Sequence, residues 1–263
     1  MHNKIVLIVG AGDYIGASIA KRFAKGGFTI CLGRRNGEKL APLLSEIESS
    51  GGKAFGFTMD ARKEENVEEI FKKIEQEIGS IEVVIFNVGG NVVFPILETT
   101  SRVFRKVWEM ATFAGFLTGR EAARYMIPRK KGSIFFTGAT ASLRGANGYS
   151  AFAAGKAGLR GVAQSMAREL GPHNIHVAHL IIDAGVDTAF VRQRIKSSGV
   201  DPETLASDTL MNPKSVVFAA SIIAMIFPTD ISLAAMMVVP VNHLLIEYVV
   251  YFAFAFVFSR PLV

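Results

Sequence analysis

Apolar residues fall in short unbroken runs along the first two thirds of the chain, at 5–9, 28–32, 54–59, 82–86, 132–136 and 175–182. Runs of this length, rich in Val, Ile and Phe, predict strands buried on both faces. Between them lie stretches whose apolar positions recur with the helical period: 15–25, 37–49, 64–78, about 101–126, and 148–170. Strands alternating with helices predict a parallel sheet covered by helices on both sides. The right-handed crossover rule then gives a doubly wound α/β sheet of about seven strands, with a ligand at the carboxyl ends of the strands. A helix starting at Pro213 and a strand at 235–241 complete the expected order, with proline at the first helical turn. No repeat or internal linker interrupts it.

Charge changes the picture in one respect. The net charge is +6 over 263 residues, but residues 215–263 hold only Asp230, Glu247 and Arg260. The first 214 residues therefore carry 28 basic and 21 acidic side chains. The bases are interspersed with acids, and the densest run, Arg129-Lys130-Lys131, reads as a solvated loop. This pattern argues against nucleic acid and for a phosphorylated small ligand. The single cysteine, Cys31, sits in an apolar run and reads as a buried small hydrophobe, so no disulfide forms within the chain. The apolar run at 5–9 is too short for a secretory leader, which makes the cytoplasm the expected compartment.

Three stretches carry candidate chemistry. Gly10-Ala11-Gly12-Asp13-Tyr14-Ile15-Gly16 follows a strand and opens a helix. Glycines there let a backbone approach a pyrophosphate, whose charge the helix N-terminus stabilises. The second strand ends in Gly33-Arg34-Arg35, with no acid before Glu38. A site selective for NAD places an acid here to hold the ribose hydroxyls, whereas two arginines suit a 2′-phosphate. The third stretch is 137–156, in which Phe152 and Lys156 lie four residues apart on one face of a helix.

Together these stretches resemble the short-chain dehydrogenase/reductase family over residues 4–241. The resemblance implies a single NADP-binding Rossmann domain over 1–242, with a substrate lid at about 189–212. It implies NADP(H) in preference to NAD(H), held by Gly10, Gly12, Asp13, Tyr14, Ile15, Gly16, Arg34, Arg35, Asp60, Asn87, Val88, Gly89, Lys156 and Thr188. Asp60 lies near the adenine in the family, and its local alternative is a helix N-cap. Asn87-Val88-Gly89 resembles the family's Asn-Ala-Gly; the asparagine braces the sheet and the glycine lets the cofactor close in. Thr188 would contact the carboxamide. The family's glycine pattern has a glycine where Tyr14 stands. Its helical asparagine falls at about Ala111, and its Pro-Gly at Asp183-Ala184.

The family's catalytic motif is altered. Its tyrosine position is Phe152, its serine position Ala139, and only Lys156 is kept. Phenylalanine has no proton to donate and alanine offers no hydrogen bond to a carbonyl. Losing a general acid typically forfeits about 10²–10⁴ in rate. Tyr149, Thr140 and Ser142 are the nearby hydroxyls that would substitute, and Lys156 itself is an acid if burial lowers its pKa. The leading expectation is an NADP-dependent oxidoreductase acting on a small carbonyl or alcohol. The alternative is a catalytically inactive NADP-binding sensor or scaffold. The family implies a homo-dimer or homo-tetramer. The apolar extension 243–263 reads as a subunit interface or a covered strand, and secondarily as a membrane contact. Counted from Val241, it gives eighteen residues with one acid, a borderline length for spanning a bilayer.

Overall fold

The computed structural model describes residues 4–182, 185–197, 199–204 and 210–211. The expected helix from Pro213, the strand at 235–241 and the apolar extension lie outside them. Among the described residues six strands form one wholly parallel sheet: β1 (Ile5–Val9), β2 (Thr29–Arg34), β3 (Lys53–Thr58), β4 (Ile81–Phe86), β5 (Gly132–Thr137) and β6 (Ile175–Leu180). Their order is β3-β2-β1-β4-β5-β6. The order reverses between β1 and β4, which opens a crevice at the carboxyl ends of these strands. Helices α1 (Ile15–Lys25), α2 (Ala41–Ser49), α3 (Glu64–Lys73), α4 (Ser101–Trp108), α5 (Ala114–Arg129) and α6 (Ser150–Leu170) cover the two faces. This is the expected doubly wound α/β fold.

All five residues of β1 are buried, as an unbroken apolar run in a central parallel strand requires. Phe71, Phe86 and Phe136 are fully buried and join Leu7, Leu117 and Leu159 in the core. Each such side chain contributes about 1.5–3 kcal/mol through burial. The register sets Val9 beside Gly33 and Phe86, and Phe86 beside Phe136. The ends of β1, β2, β4 and β5 are therefore level, and the residues that follow them line one edge. Cys31 is buried within β2, and burial pushes its thiol up to about 12. It stays protonated and inert.

Some boundaries differ from the periodic reading. The predicted helix over 101–126 is α4 and α5 joined by a π turn, Glu109–Phe113. One extra residue in that turn drives Ala111 and Thr112 into the protein, and Thr112 Oγ1 donates to Gly155 O at 2.7 Å. A Cβ at Gly158 would stand 2.6 Å from Thr112 Oγ1, so α6 approaches the turn at small residues only. The stretch after 188, which looks irregular by sequence, contains a helix, α7 (Ala189–Ser197). Its start is secured by Thr188, whose Oγ1 accepts from Val191 N at 3.1 Å, a capping contact that periodicity does not reveal. Two short strands, β7 (Gly185–Val186) and β8 (Leu210–Met211), pair in parallel apart from the main sheet. Among the described residues no helix is long and apolar enough to cross a membrane.

Candidate active site

The turn after β1 is built by two glycines that admit no side chain. Gly10 has φ +87°, and a Cβ there would lie 2.8 Å from Asn87 O. A Cβ on Gly16 would lie 2.7 Å from Ala11 Cα. Gly10 N and Ala11 N both donate to Gly33 O, at 2.9 and 3.1 Å, which fastens the turn to the end of β2. Asn87 clamps it from β4: its backbone N donates to Val9 O at 2.8 Å, and its Nδ2 to Gly10 O at 3.2 Å. Gly12 and Gly89 face open space, with nothing within 4 Å of a Cβ. The turn therefore bares backbone toward a cleft, and α1 begins there without a side-chain cap, a geometry that favours an anion.

The cleft measures about 1180 Å³ and runs from the end of β2 to the start of α6. At the β2 end, Arg34, Arg35 and Lys39 line it. Arg34 is already engaged by Asp13, with Nη1 to Oδ1 at 2.6 Å and Nη2 to Oδ2 at 3.3 Å. That bond holds the Asp13 carboxyl below its usual pKa. Asp60 also lines the cleft and grips Arg62 through two side-chain bonds, at 2.9 and 2.6 Å. Those bonds hold its carboxyl low as well. Asp60 Oδ1 accepts Arg62 N at 3.2 Å, so the side chain closes the turn after β3 and does not cap α3, whose N-cap is Lys63.

At the other end, Tyr149 at the N-cap of α6 and Phe152 and Lys156 within it line the same wall. The Tyr149 and Phe152 rings stand 6.2 Å apart. Lys156 is 3% exposed; its Nζ donates to Thr137 O at 2.8 Å and to Val88 O at 3.3 Å. Burial lowers its pKa to about 8. The glycines, the cations and the open backbone fit an elongated phosphorylated dinucleotide.

The comparisons with known proteins agree with this geometry. The family described as short chain dehydrogenase matches residues 4–198. The chain belongs to this family. Its parallel sheet with helices on both faces is that of a short-chain dehydrogenase, from an oxidoreductase family that takes nicotinamide dinucleotides. A crystal structure of a short-chain dehydrogenase from Rhodopseudomonas palustris is 51% identical, with a TM-score of 0.73, over 88% of this chain and 95% of that one. A curated relative from Formosa agariphila, 2-dehydro-3-deoxy-D-gluconate 5-dehydrogenase, is 32% identical over 175 residues, 66% of this chain and 66% of the relative. The alignment thus spans just under two thirds of that relative's own length. ElxO shares the fold at 22% identity and a TM-score of 0.78, over 88% of this chain and 94% of its own. It has been solved with NADP and, as a tyrosine-to-phenylalanine variant, with NADPH.

Within this short-chain dehydrogenase the substitute hydroxyls are placed differently from one another. Thr140 and Tyr149 line the cleft. Ser142 is buried beneath the loop, where its Oγ accepts from Ala139 N at 3.1 Å and faces His179 Nε2 at 3.4 Å. It braces the turn that carries Ala139. His179 comes from β6 and packs against Gly138, where a Cβ would lie 2.1 Å from its Cε1. Burial, with Lys156 and Arg160 nearby, pushes its pKa down to about 4, so it is neutral at neutral pH. His176 sits three residues earlier and packs edge-on against Phe135, consistent with opposite faces of the strand. Tyr14 lines the cleft, and its hydroxyl accepts from Ala189 N at 3.1 Å, the first residue of α7. Thr188 and Val191 line the cleft there too. Neither the Ser142–His179 contact nor the Tyr14–Ala189 contact has a signature in sequence spacing.

Proposed function

We propose that this short-chain dehydrogenase is an NADP-dependent oxidoreductase that interconverts a small carbonyl compound and its alcohol. The observation that carries the reading is the distribution of cations along one cleft. Arg34, Arg35 and Lys39 gather where β2 ends, and a buried Lys156 stands at the opposite end beside Phe152. The first group suits a 2′-phosphate, by charge and by the forked geometry of guanidinium. Gly10, Gly12 and Gly16 would hold the pyrophosphate, with Val88, Gly89, Lys156 and Thr188 around the nicotinamide half. When bound, the nicotinamide exchanges a hydride with the carbonyl carbon.

The chain must then supply or take a proton. Phe152 cannot. We assign this role to Lys156. Its ammonium has three N–H donors, of which two are given to Thr137 O and Val88 O. With a pKa near 8 it exchanges protons close to neutral pH, as a general acid should. Thr140, after β5, lines the cleft, and in this reading its hydroxyl would hydrogen-bond the carbonyl oxygen in place of the missing serine. The expected enzyme is slower than a relative with tyrosine. Its reduction rate is constant at low pH and falls as pH rises through about 8, where the acid form of Lys156 is lost.

A second reading has a specific observation behind it: Phe152 and Ala139 remove both usual contacts to a carbonyl oxygen. The protein would then bind NADP(H) and act as a sensor or scaffold. Fluorescence titration with NADPH and NADH tests the reading common to both. Turnover of a carbonyl panel, for the wild type and for Ala139→Ser with Phe152→Tyr, separates them. A silent wild type and an active double variant would favour the sensor. Failure to bind either nucleotide would end both readings. A homo-oligomer in the cytoplasm is part of the proposal, and the apolar extension 243–263 is assigned to a subunit interface in preference to a membrane.

A further inference from the structure

Among the described residues, both acids that line the cleft are already committed. Asp13 is paired to Arg34 at 2.6 Å and Asp60 to Arg62 at 2.6 Å. The remaining lining cations are Arg35, Lys39, Lys156 and Arg144. Arg35 and Lys39 follow β2 and belong to the end assigned to the 2′-phosphate. Lys156 gives two of its N–H groups to carbonyls, and the proposed proton transfer takes the third. Arg144 is different. It lies on the loop between β5 and α6, in the segment that separates Thr140 from Tyr149 and Phe152. It is exposed, and no ion pair or side-chain hydrogen bond engages its guanidinium among the described residues.

Its backbone is held in place. Arg144 N donates to Thr140 O at 3.2 Å, and Leu143 N donates to the same oxygen at 2.9 Å. The far end of the loop is tied by Phe94 N to Gly148 O at 2.9 Å. Arg144 thus lines the cleft from a fixed loop, on a wall that also carries Thr140, Tyr149, Phe152 and Lys156 and, among the described residues, no acid. A cation in such a place has one use that the nucleotide does not fill. We propose that Arg144 recognises a carboxylate on the substrate, so that the carbonyl compound is a small oxoacid. This rests on the oxidoreductase reading above. Guanidinium meets carboxylate with two parallel charge-assisted bonds, which fixes orientation as well as affinity. That matters more here than in a relative with a tyrosine and a serine to hold the carbonyl oxygen. The distal carboxylate becomes the main handle by which the substrate is aligned.

The test uses the full-length protein and matched pairs of probes: levulinate with methyl levulinate, and 2-oxobutanoate with its methyl ester. Binding of each is followed by saturation-transfer NMR, on the protein alone and with saturating NADP⁺, and turnover with NADPH is measured in parallel. The expected result is that at least one acid binds about 10–100-fold more tightly than its ester, a ratio typical of charge-assisted bonds. Arg144→Gln should remove that preference, and Arg144→Lys should keep part of it, which separates loss of the charge from damage to the loop. If NADPH binds but no acid is preferred over its ester, or if Arg144→Gln weakens acid and ester alike, the carboxylate assignment is overturned and the oxidoreductase reading stands. If NADPH fails to bind yet the acids bind through Arg144, the oxidoreductase reading falls and the anion site remains. If neither binds, both fall.

Discussion

Asp13→Asn is the substitution that interrogates the cofactor site most directly. In the free protein Arg34 is held by Asp13 through two bonds, at 2.6 and 3.3 Å. A 2′-phosphate must take Arg34 from that partner. Unit charges about 4 Å apart attract by about 1 kcal/mol in water. The Asp13 side chain is 68% exposed, so the pair is solvated and its net worth is about 0–1 kcal/mol. Asp13 also repels the incoming phosphate. A doubly charged group one Debye length away adds roughly 0.4 kcal/mol after screening at physiological salt. Neutralising Asp13 should therefore strengthen NADPH binding by about 1 kcal/mol, or about fivefold. NADH lacks the 2′-phosphate and feels only the pyrophosphate term, so it should tighten by about twofold or less. The assay is fluorescence titration of both nucleotides at two salt concentrations, with the NADPH advantage shrinking at higher salt. An equal gain for both nucleotides would remove Arg34 from the 2′-phosphate. A loss of NADPH affinity would show that Asp13 holds Arg34 in the binding position and does not compete for it.

Three other outcomes follow from named contacts. Tyr14→Phe deletes the acceptor for Ala189 N, so the link between the glycine turn and α7 should open. Nucleotide release should quicken severalfold in stopped flow, with thermal stability changed by less than about 1 kcal/mol, as for one exposed hydrogen bond; unchanged release would show that the contact does not govern release. His179 has its pKa lowered to about 4 from an ordinary 6.5, so the folded state binds its proton less readily than the unfolded state does. Its contribution to stability is complete above pH 6.5 and is lost as pH falls through 4, by about 1–2 kcal/mol once its partial exposure is allowed for. His179→Gln should flatten the acid limb of a denaturant-melt series, and an unaltered slope would exclude His179 as its source. Trp108 and Phe116 are about 40% exposed and stack in turn on Phe113, at 6.0 and 6.5 Å, which leaves an aromatic strip on the surface of α4 and α5. If that strip is a subunit contact, Trp108→Glu with Phe116→Glu should lower the mass seen by analytical ultracentrifugation; a wild type already monomeric at tens of micromolar would refute it.

How much of this was legible in the sequence depends on the range of the interaction. The order of strands and helices follows from local period, and residues 5–9, 15–25 and 132–136 fall where the pattern puts them because β1, α1 and β5 need nothing beyond their own apolar spacing. Gly10 and Gly16 were readable because a close backbone approach tolerates no other residue. The failures are contacts between elements far apart in the chain. Thr112 reaches Gly155 only because a π turn inserts one residue, and that turn has no fixed sequence pattern. Ser142 meets His179 because β5 pairs with β6, with Phe136 beside His179, and no count along the chain brings them together. Asp13 lines the cleft, and its pairing with Arg34 from the next strand likewise has no signature in spacing.

The catalytic question divides along the same line. That Phe152 and Ala139 lack the usual functional groups is a statement about residue identity, complete in the sequence. Which group replaces them is a statement about environment. Lys156 differs from an exposed lysine because burial keeps water from its ammonium, which faces Thr137 O and Val88 O. Removing that exclusion should restore an ordinary lysine. Enlarging Gly155, whose Cβ would meet Ala111 at 3.2 Å and Val107 O at 3.3 Å, would push α6 away from α4 and admit water. Lys156, the proposed proton donor, would then titrate higher, and the alkaline limb of the rate profile would move up from about 8 without any change to the residues that line the cleft. A proton donor made by burial is thus a property of the helix packing, and it can be tuned from a position that the cleft never sees.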